Sequence, residues 1–213
     1  MVFRYGVGVS AVDRRNSAAE DSSNSTGEGL QIADDGSWQW SVGRDAPDVL
    51  RRNAEFVVGR IEDLDTDLRG DSVLAIQLGN EPALFVFGEA LSSIEMLTLL
   101  SLDEFEGLVR FVHDVKGEED YHFLELAGGR IRQGRLESGA EKVFDSGQFA
   151  PAGWIGVRVV SDGTHFRAYI GEEMLVHGHN DEPEPGRAGL YLEGKGAVKL
   201  RYIRVVVLRP QDH

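Results

Sequence analysis

The strongest constraint on the fold is an alternation of apolar and polar residues that continues, between turn residues, from Gly36 onward. In the segment WIGVRVVSDGTHFRAYI, apolar residues fall on every second position both before and after Asp162 and Gly163. A period of two is typical of a strand with one buried face, and Asp-Gly is a common two-residue hairpin turn. The pattern therefore predicts a β-hairpin over residues 154–170.

Other segments alternate in the same way. They predict strands over residues 55–61, 72–78, 83–87, 94–100, 107–115, 121–126 and 130–135, and helical periodicity is confined to residues 47–53. The segment GRAGLYLEGKGAVKLRYIRVVVL predicts a closing hairpin over residues 186–208, with a β-bulge near Ile203 where the alternation changes phase. Many short strands at this spacing indicate an all-β fold, a two-sheet antiparallel sandwich.

Charge and cysteine content restrict the partners of the chain. It has 36 acidic and 22 basic residues and a net charge of -14, which repels nucleic-acid phosphates and anionic membranes. We therefore expect no nucleic-acid partner. The absence of cysteine excludes disulfides and thiol catalysis.

The most apolar stretch, residues 83–102, contains Glu89 and Glu95, and the first residues lack the apolar core of a signal peptide. We expect a soluble chain without a membrane span, cytoplasmic or particle-associated unless a signal was removed.

The first thirty residues differ from the rest. VFRYGVGVSAV has the composition of a strand, whereas DRRNSAAEDSSNSTGEG is polar and typical of a linker. The sequence predicts an N-terminal arm and polar linker over residues 1–30 and a single domain over residues 31–213. Such an arm can pair with a neighbouring chain, so one hypothesis is a homo-oligomer or a particle neighbour contacted through residues 1–30.

Several features of residues 104–208, about half of the chain, resemble a known family. They are Gly107 and Arg110 on one strand, Tyr121 on the next, Trp154 opening a strand that turns at Asp-Gly, and Gly-Arg-x-Gly-Leu-Tyr at residues 186–191. In this order they resemble the concanavalin A-like jelly rolls of the laminin-G-like type and the related keto-disaccharide hydrolase-type domains. The resemblance implies a curved sheet whose concave face binds sugars or proteins and sometimes hydrolyses glycosides.

Three functions are consistent with this resemblance: a non-catalytic module that recognises a glycan or protein surface, a structural subunit of a virion, tail or other particle, and a glycoside-processing enzyme. Retaining glucanases of this architecture resemble one another in a Glu-x-Asp-x-Glu strand motif. The nearest segment, IEDLDTDLRGD, has aspartates at the alternating positions, and the chain has no Gly-x-Ser-x-Gly motif. Recognition is therefore favoured, and no catalytic residue is predicted.

Four residues on the matched strands are predicted to contact a ligand: Arg110, Tyr121, Arg167 and Tyr169. They combine planar groups with fixed hydrogen-bond donors, which is the chemistry that a sugar or peptide surface needs. The alternative is that they are solvated sheet positions whose arginines pair with carboxylates. The aromatic rings of Trp38, Trp40 and Trp154 leave a similar choice between core packing and a platform for sugars.

Two segments carry metal-binding residue types. In EDLDTDLRGD, the carboxylates of Asp63, Asp65, Asp67 and Asp71 predict a loop that could bind one Ca²⁺, with a solvated acidic loop as the alternative. In HGHNDEPEPG, His177 and His179 point the same way if the segment is extended, as two ligands of one metal must. The alternative for this second segment is a polar surface loop, because the sequence identifies no third, distant ligand.

Overall fold

The part of the chain that the structure describes contains fourteen antiparallel strands and one short helix. The computed structural model describes residues 29–61, 63–67, 73–78 and 81–209. In chain order the elements are β1 (Gly29–Ile32), β2 (Trp38–Ser41), α1 (Ala46–Asn53), β3 (Glu55–Val58), β4 (Asp63–Asp67), β5 (Val73–Gln77), β6 (Ala83–Leu91), β7 (Ile94–Gly117), β8 (Asp120–Ala127), β9 (Arg130–Glu137), β10 (Ala140–Gln148), β11 (Trp154–Asp162), β12 (His165–Ile170), β13 (Glu173–His179) and β14 (Gly186–Val207).

Two long strands, β7 and β14, pair along almost their whole length and connect two layers. We call the layers sheet I and sheet II. Sheet I contains β1, β2, β4 and β5, residues 197–207 of β14, residues 94–101 of β7, and then β11, β12 and β13. Sheet II contains β3 and β6, residues 186–192 of β14, residues 108–115 of β7, and then β8, β9 and β10. This arrangement confirms the predicted two-sheet antiparallel sandwich.

Glycines allow β7 and β14 to run close together where they pass from one sheet to the other. A Cβ on Gly107 would lie 2.1 Å from the Glu193 carbonyl oxygen, and one on Gly194 would lie 2.3 Å from that of Glu106. Gly196 has a φ of 94°, which side-chain-bearing residues rarely adopt. The corner therefore requires glycine both for space and for backbone conformation.

The main core lies between the two sheets. Sheet I contributes alternate residues of β11, and sheet II contributes alternate residues of β8. Contact between the layers is direct, since the rings of His122 on β8 and Phe166 on β12 stack with centroids 5.1 Å apart. Trp38 and Trp40 are 2% and 0% exposed, so both pack in the core and neither forms a sugar platform.

The predicted elements are mostly present, with three differences. Residues 94–100 and 107–115 are one strand rather than two, and residues 186–207 are one strand rather than a closing hairpin, because both strands stay paired through the corner. The phase shift of β14 falls between Leu200 and Tyr202, near the predicted bulge. In the hairpin at residues 154–170, Asp162 pairs with His165, so the turn consists of Gly163 and Thr164.

The predicted arm and linker lie almost wholly outside the described residues, which begin with Gly29 and Leu30 on β1. The assembly hypothesis depends on that segment and stays a prediction. No helix in the described part of the chain has the length and apolarity needed to cross a membrane.

Candidate functional site

The four predicted ligand-contact residues occupy two different surfaces of the sandwich. Arg110 on β7 and Tyr121 on β8 lie on the face of sheet II that points away from the main core. Arg167 and Tyr169 on β12 lie on the outer face of sheet I, since Ala168 between them is buried in the core. The structure therefore brings these residues together as two pairs and not as one site.

The outer face of sheet II holds a closed network of charges. Glu125 accepts hydrogen bonds from Arg110 Nε at 2.9 Å and from Arg132 Nε and Nη2 at 2.9 and 2.6 Å. Glu141 accepts from Nη2 of Arg110 at 2.6 Å and from Nη1 of Arg132 at 2.8 Å. Two guanidinium groups and two carboxylates thus neutralise one another, an arrangement stronger than isolated surface pairs.

Arg110 and Tyr121 are also largely buried. The Arg110 guanidinium lies 4.3 Å from the centroid of the buried Phe123 ring, and its Nη1 donates to the Tyr121 hydroxyl at 3.1 Å. Burial alone would lower the pKa of Arg110, but hydrogen bonds to Tyr121 and Glu125 outweigh it and raise the pKa. Burial also raises the pKa of the Tyr121 hydroxyl. Tyr121 is only 2% exposed, so its ring does not present the outward stacking surface that the sequence suggested.

The same network contains the pair of carboxylates most similar to a glycosidase site. Glu125 and Glu141 both lie against Nη2 of Arg110, at 2.8 and 2.6 Å, which is compatible with the separation of about 5 Å in retaining glycosidases. Such an enzyme needs one carboxyl group as a proton donor. Both groups are instead held in ion pairs with two arginines.

The outer face of sheet I has a more open arrangement. Trp154, Gly156 and Arg158 follow one another on the same side of β11, so the first and last are separated by about 13 Å. The Arg158 guanidinium lies 3.7 Å from the centroid of the Tyr169 ring, and Arg201 lies 4.4 Å from that of Trp154. These two cation–π pairs form flat surfaces on either side of Gly156, which has no side chain.

An open cavity of about 660 Å³ lies on this face. Its lining includes the predicted Arg167 and Tyr169 together with Arg158, Glu95 and Asp162. The ion pairs at the cavity are long: Arg158 to Glu95 and Arg167 to Asp162 are both 3.6 Å. At this distance the guanidinium groups keep hydrogen-bonding capacity for another molecule.

Sequence reasoning missed Arg158 as a site residue. The available signal was the spacing, because Arg158 is four residues from Trp154 on a predicted strand and must share its face. Its contact with Tyr169 could not be predicted, since that contact depends on the register in which Arg158 and Tyr169 are direct partners across β11 and β12.

The described part of the acidic segment, residues 63–67, forms a strand rather than a loop. Asp63, Asp65 and Asp67 lie on β4, which pairs with β5. The carboxylates of Asp63 and Asp65 each accept a hydrogen bond from the next backbone N–H at 2.8 Å. Asp71 lies outside the described residues. Calcium binding by this segment stays a prediction.

Two histidine clusters are present. His177 and His179 lie on β13 and not in a loop, and His165 on β12 provides the third ligand that the sequence did not identify. The second cluster is buried between the sheets, where His113 Nδ1 lies 2.6 Å and His122 Nδ1 lies 3.5 Å from Oδ2 of Asp114. Burial, the largest cause, acts together with the neighbouring His113, Arg135 and Lys116 to lower the pKa of His122 to about 3.

No family model matches the sequence, and no curated protein matches it. Solved structures do match. The carbohydrate-binding module CBM66 from Bacillus subtilis is 12% identical, with a TM-score of 0.57 over 70% of this chain and 94% of that one. The β-glucanase of Bacillus licheniformis is 9% identical, with a TM-score of 0.56 over 82% and 99%. A protein of unknown function from Shewanella oneidensis is 12% identical, with a TM-score of 0.58 over 86% and 92%.

The fold is a concanavalin A-like jelly roll. At these identities the likeness concerns architecture alone, and function must be argued from the site. Within the concanavalin A-like sandwich, the two outer faces are the surfaces on which the predicted ligand contacts lie.

Proposed function

We propose that the protein is a non-catalytic recognition module of laminin-G-like type that binds a glycan on the outer face of sheet I. The observation that carries the proposal is the open cavity beside the Arg158–Tyr169 pair, with Trp154 exposed on the same face. Aromatic rings provide flat apolar surfaces, and guanidinium groups provide fixed donors for hydroxyl or carboxylate oxygens. Similarity in fold to a carbohydrate-binding module supports this proposal.

Exposure distinguishes this face from the core. Trp154 is 38% exposed, whereas Trp38 and Trp40 are buried in the core. Exposing an aromatic ring to water costs free energy, so an exposed ring beside an arginine is suited to contact with a partner. Three arginines and two carboxylates line the cavity, so acidic sugars should bind more strongly than neutral sugars at low salt.

A glycan array with neutral and acidic sugars tests the proposal. We expect the wild-type protein to bind one class above background, and we expect Tyr169→Ala to weaken that binding by about tenfold, as loss of a central ring contact does. Tyr191→Phe is the matched control, because Tyr191 lies on the outer face of sheet II and its hydroxyl donates to Glu193. Failure of every glycan to bind, or equal loss in the two variants, would refute the proposal.

A further inference from the structure

We propose that His165, His177 and His179 form a binding site for a divalent transition-metal ion, with Zn²⁺ as the best fit. The three residues come from adjacent antiparallel strands. His165 on β12 is the direct partner of His179 on β13, and His177 is two residues away from His179 on the same face. The register of one hairpin therefore places three imidazoles side by side at the edge of sheet I.

The spacing of the rings fits a single ion. Each histidine offers one nitrogen, and the three nitrogens lie within 4.8 Å of one another. The ring centroids are 4.6, 4.7 and 5.8 Å apart. Zinc–nitrogen bonds of about 2.0–2.1 Å at tetrahedral angles place the centroids of three bound imidazoles about 5 Å apart. Small side-chain rotations are therefore enough to bring the three nitrogens to one ion.

The imidazoles are also available. All three residues are exposed, and within the described residues no protein group forms a hydrogen bond with any of the three rings. The backbone beneath them is fixed, because the N–H of His177 donates to Asp145 Oδ2 at 2.7 Å. Three ligands and an open fourth position are the arrangement of zinc sites that also bind water or a further molecule.

Ligand chemistry selects the class of metal. Three neutral imidazoles suit zinc, copper or nickel, whereas calcium and magnesium prefer oxygen ligands. The buried group of His113, Asp114 and His122 differs, because a hydrogen bond of 2.6 Å already joins His113 to Asp114. The exposed cluster is therefore the better metal site of the two.

Calorimetric titration of the full chain with ZnCl₂, after treatment with chelator and dialysis, tests this proposal. We expect one ion per chain, and we expect His177→Gln to weaken binding by about tenfold or more, the scale of loss seen when the ligand shell of a metal site is damaged. Glu173→Gln is the control, because it changes an exposed residue of the same strand that is not part of the cluster and should leave the affinity unchanged.

A second readout separates binding from folding. At one fixed zinc concentration, zinc should raise the melting temperature of the wild type and of Glu173→Gln, and should raise that of His177→Gln by less, because an ion stabilises the fold in proportion to the logarithm of its excess over the dissociation constant. Circular dichroism without metal should be identical for all three proteins. The proposal is wrong if the wild type binds no zinc, if His177→Gln keeps the wild-type affinity, or if binding is lost only in His122→Asn.

Discussion

The two outer faces of the sandwich carry the same residue types, but their arginines are tightly paired on sheet II and loosely paired on sheet I. On sheet II, Arg110 and Arg132 are held by Glu125 and Glu141 at 2.6 to 2.9 Å, and the Glu125 side chain is only 5% exposed. On sheet I, the corresponding pairs of Arg158 and Arg167 are both 3.6 Å long. Charged groups that satisfy one another stabilise a sheet, whereas loosely paired groups remain available to a partner. The difference supports the proposal that sheet II is a structural face and sheet I a binding face.

The largest expected difference between the faces is in stability. Glu125→Gln should lower the free energy of unfolding by about 3–5 kcal/mol, because it leaves two arginines without their most buried partner. Glu95→Gln on sheet I removes a long and partly exposed pair and should cost no more than about 1 kcal/mol. Chemical denaturation measures both. Equal costs would show that the sheet II network is not structural.

The pH dependence of stability should come from the interior and not from the open face. The pKa of His122 is about 3 in the fold and about 6.5 in an unfolded chain. Between these values only the unfolded chain binds the proton, so His122 lowers the stability by a few kcal/mol as the pH falls from 6.5 toward 3.

Thermal unfolding across this pH range should show a shallower slope for His122→Asn than for the wild type. Gly156→Ala, on the outer face of sheet I, removes no titratable group and should keep the wild-type slope. A wild-type slope in His122→Asn would contradict the assigned origin of the pH dependence.

A smaller effect on the free energy of unfolding is expected when a Gly→Ala substitution adds one methyl group to each face. A Cβ on Gly134, in sheet II, would lie 2.5 Å from the Lys142 carbonyl oxygen and 2.9 Å from the Phe123 ring, whereas one on Gly156, in sheet I, would meet nothing within 4 Å. Gly134→Ala should therefore cost about 1–3 kcal/mol, and Gly156→Ala should change stability by no more than about 0.5 kcal/mol. Denaturant midpoints distinguish the two, and a large loss in Gly156→Ala would mean that this face is packed.

The sequence predicted local structure better than it predicted the surfaces. Alternation located most strands and the helix α1, because the period reports which side of a segment is buried. It could not show that residues 94–100 and 107–115 form one strand, since the polar residues between them look like a turn and their pairing with β14 is long-range. Because β7 and β14 pass from one sheet to the other, Arg110 and Tyr121 lie on sheet II, whereas Arg167 and Tyr169 lie on sheet I.

Local pattern also failed where burial depends on a second layer of contacts. Tyr121 has an outward position, yet it is buried because sheet II carries a second apolar cluster that includes Leu84, Val112 and Phe123. His165 was not recognised as a metal ligand, because its position opposite His179 depends on strand register. Both cases required a pairing between strands that composition and spacing do not encode.

The location of the binding face can be measured directly by titrating the isotope-labelled protein with the strongest glycan from the array and following its backbone amides by NMR. We predict that the largest chemical-shift changes occur on β11 and β12, around Arg158, Arg167 and Tyr169, with little change on β8 and β9. Changes concentrated around Glu125 and Arg132 instead would contradict the assignment of sheet I as the binding face.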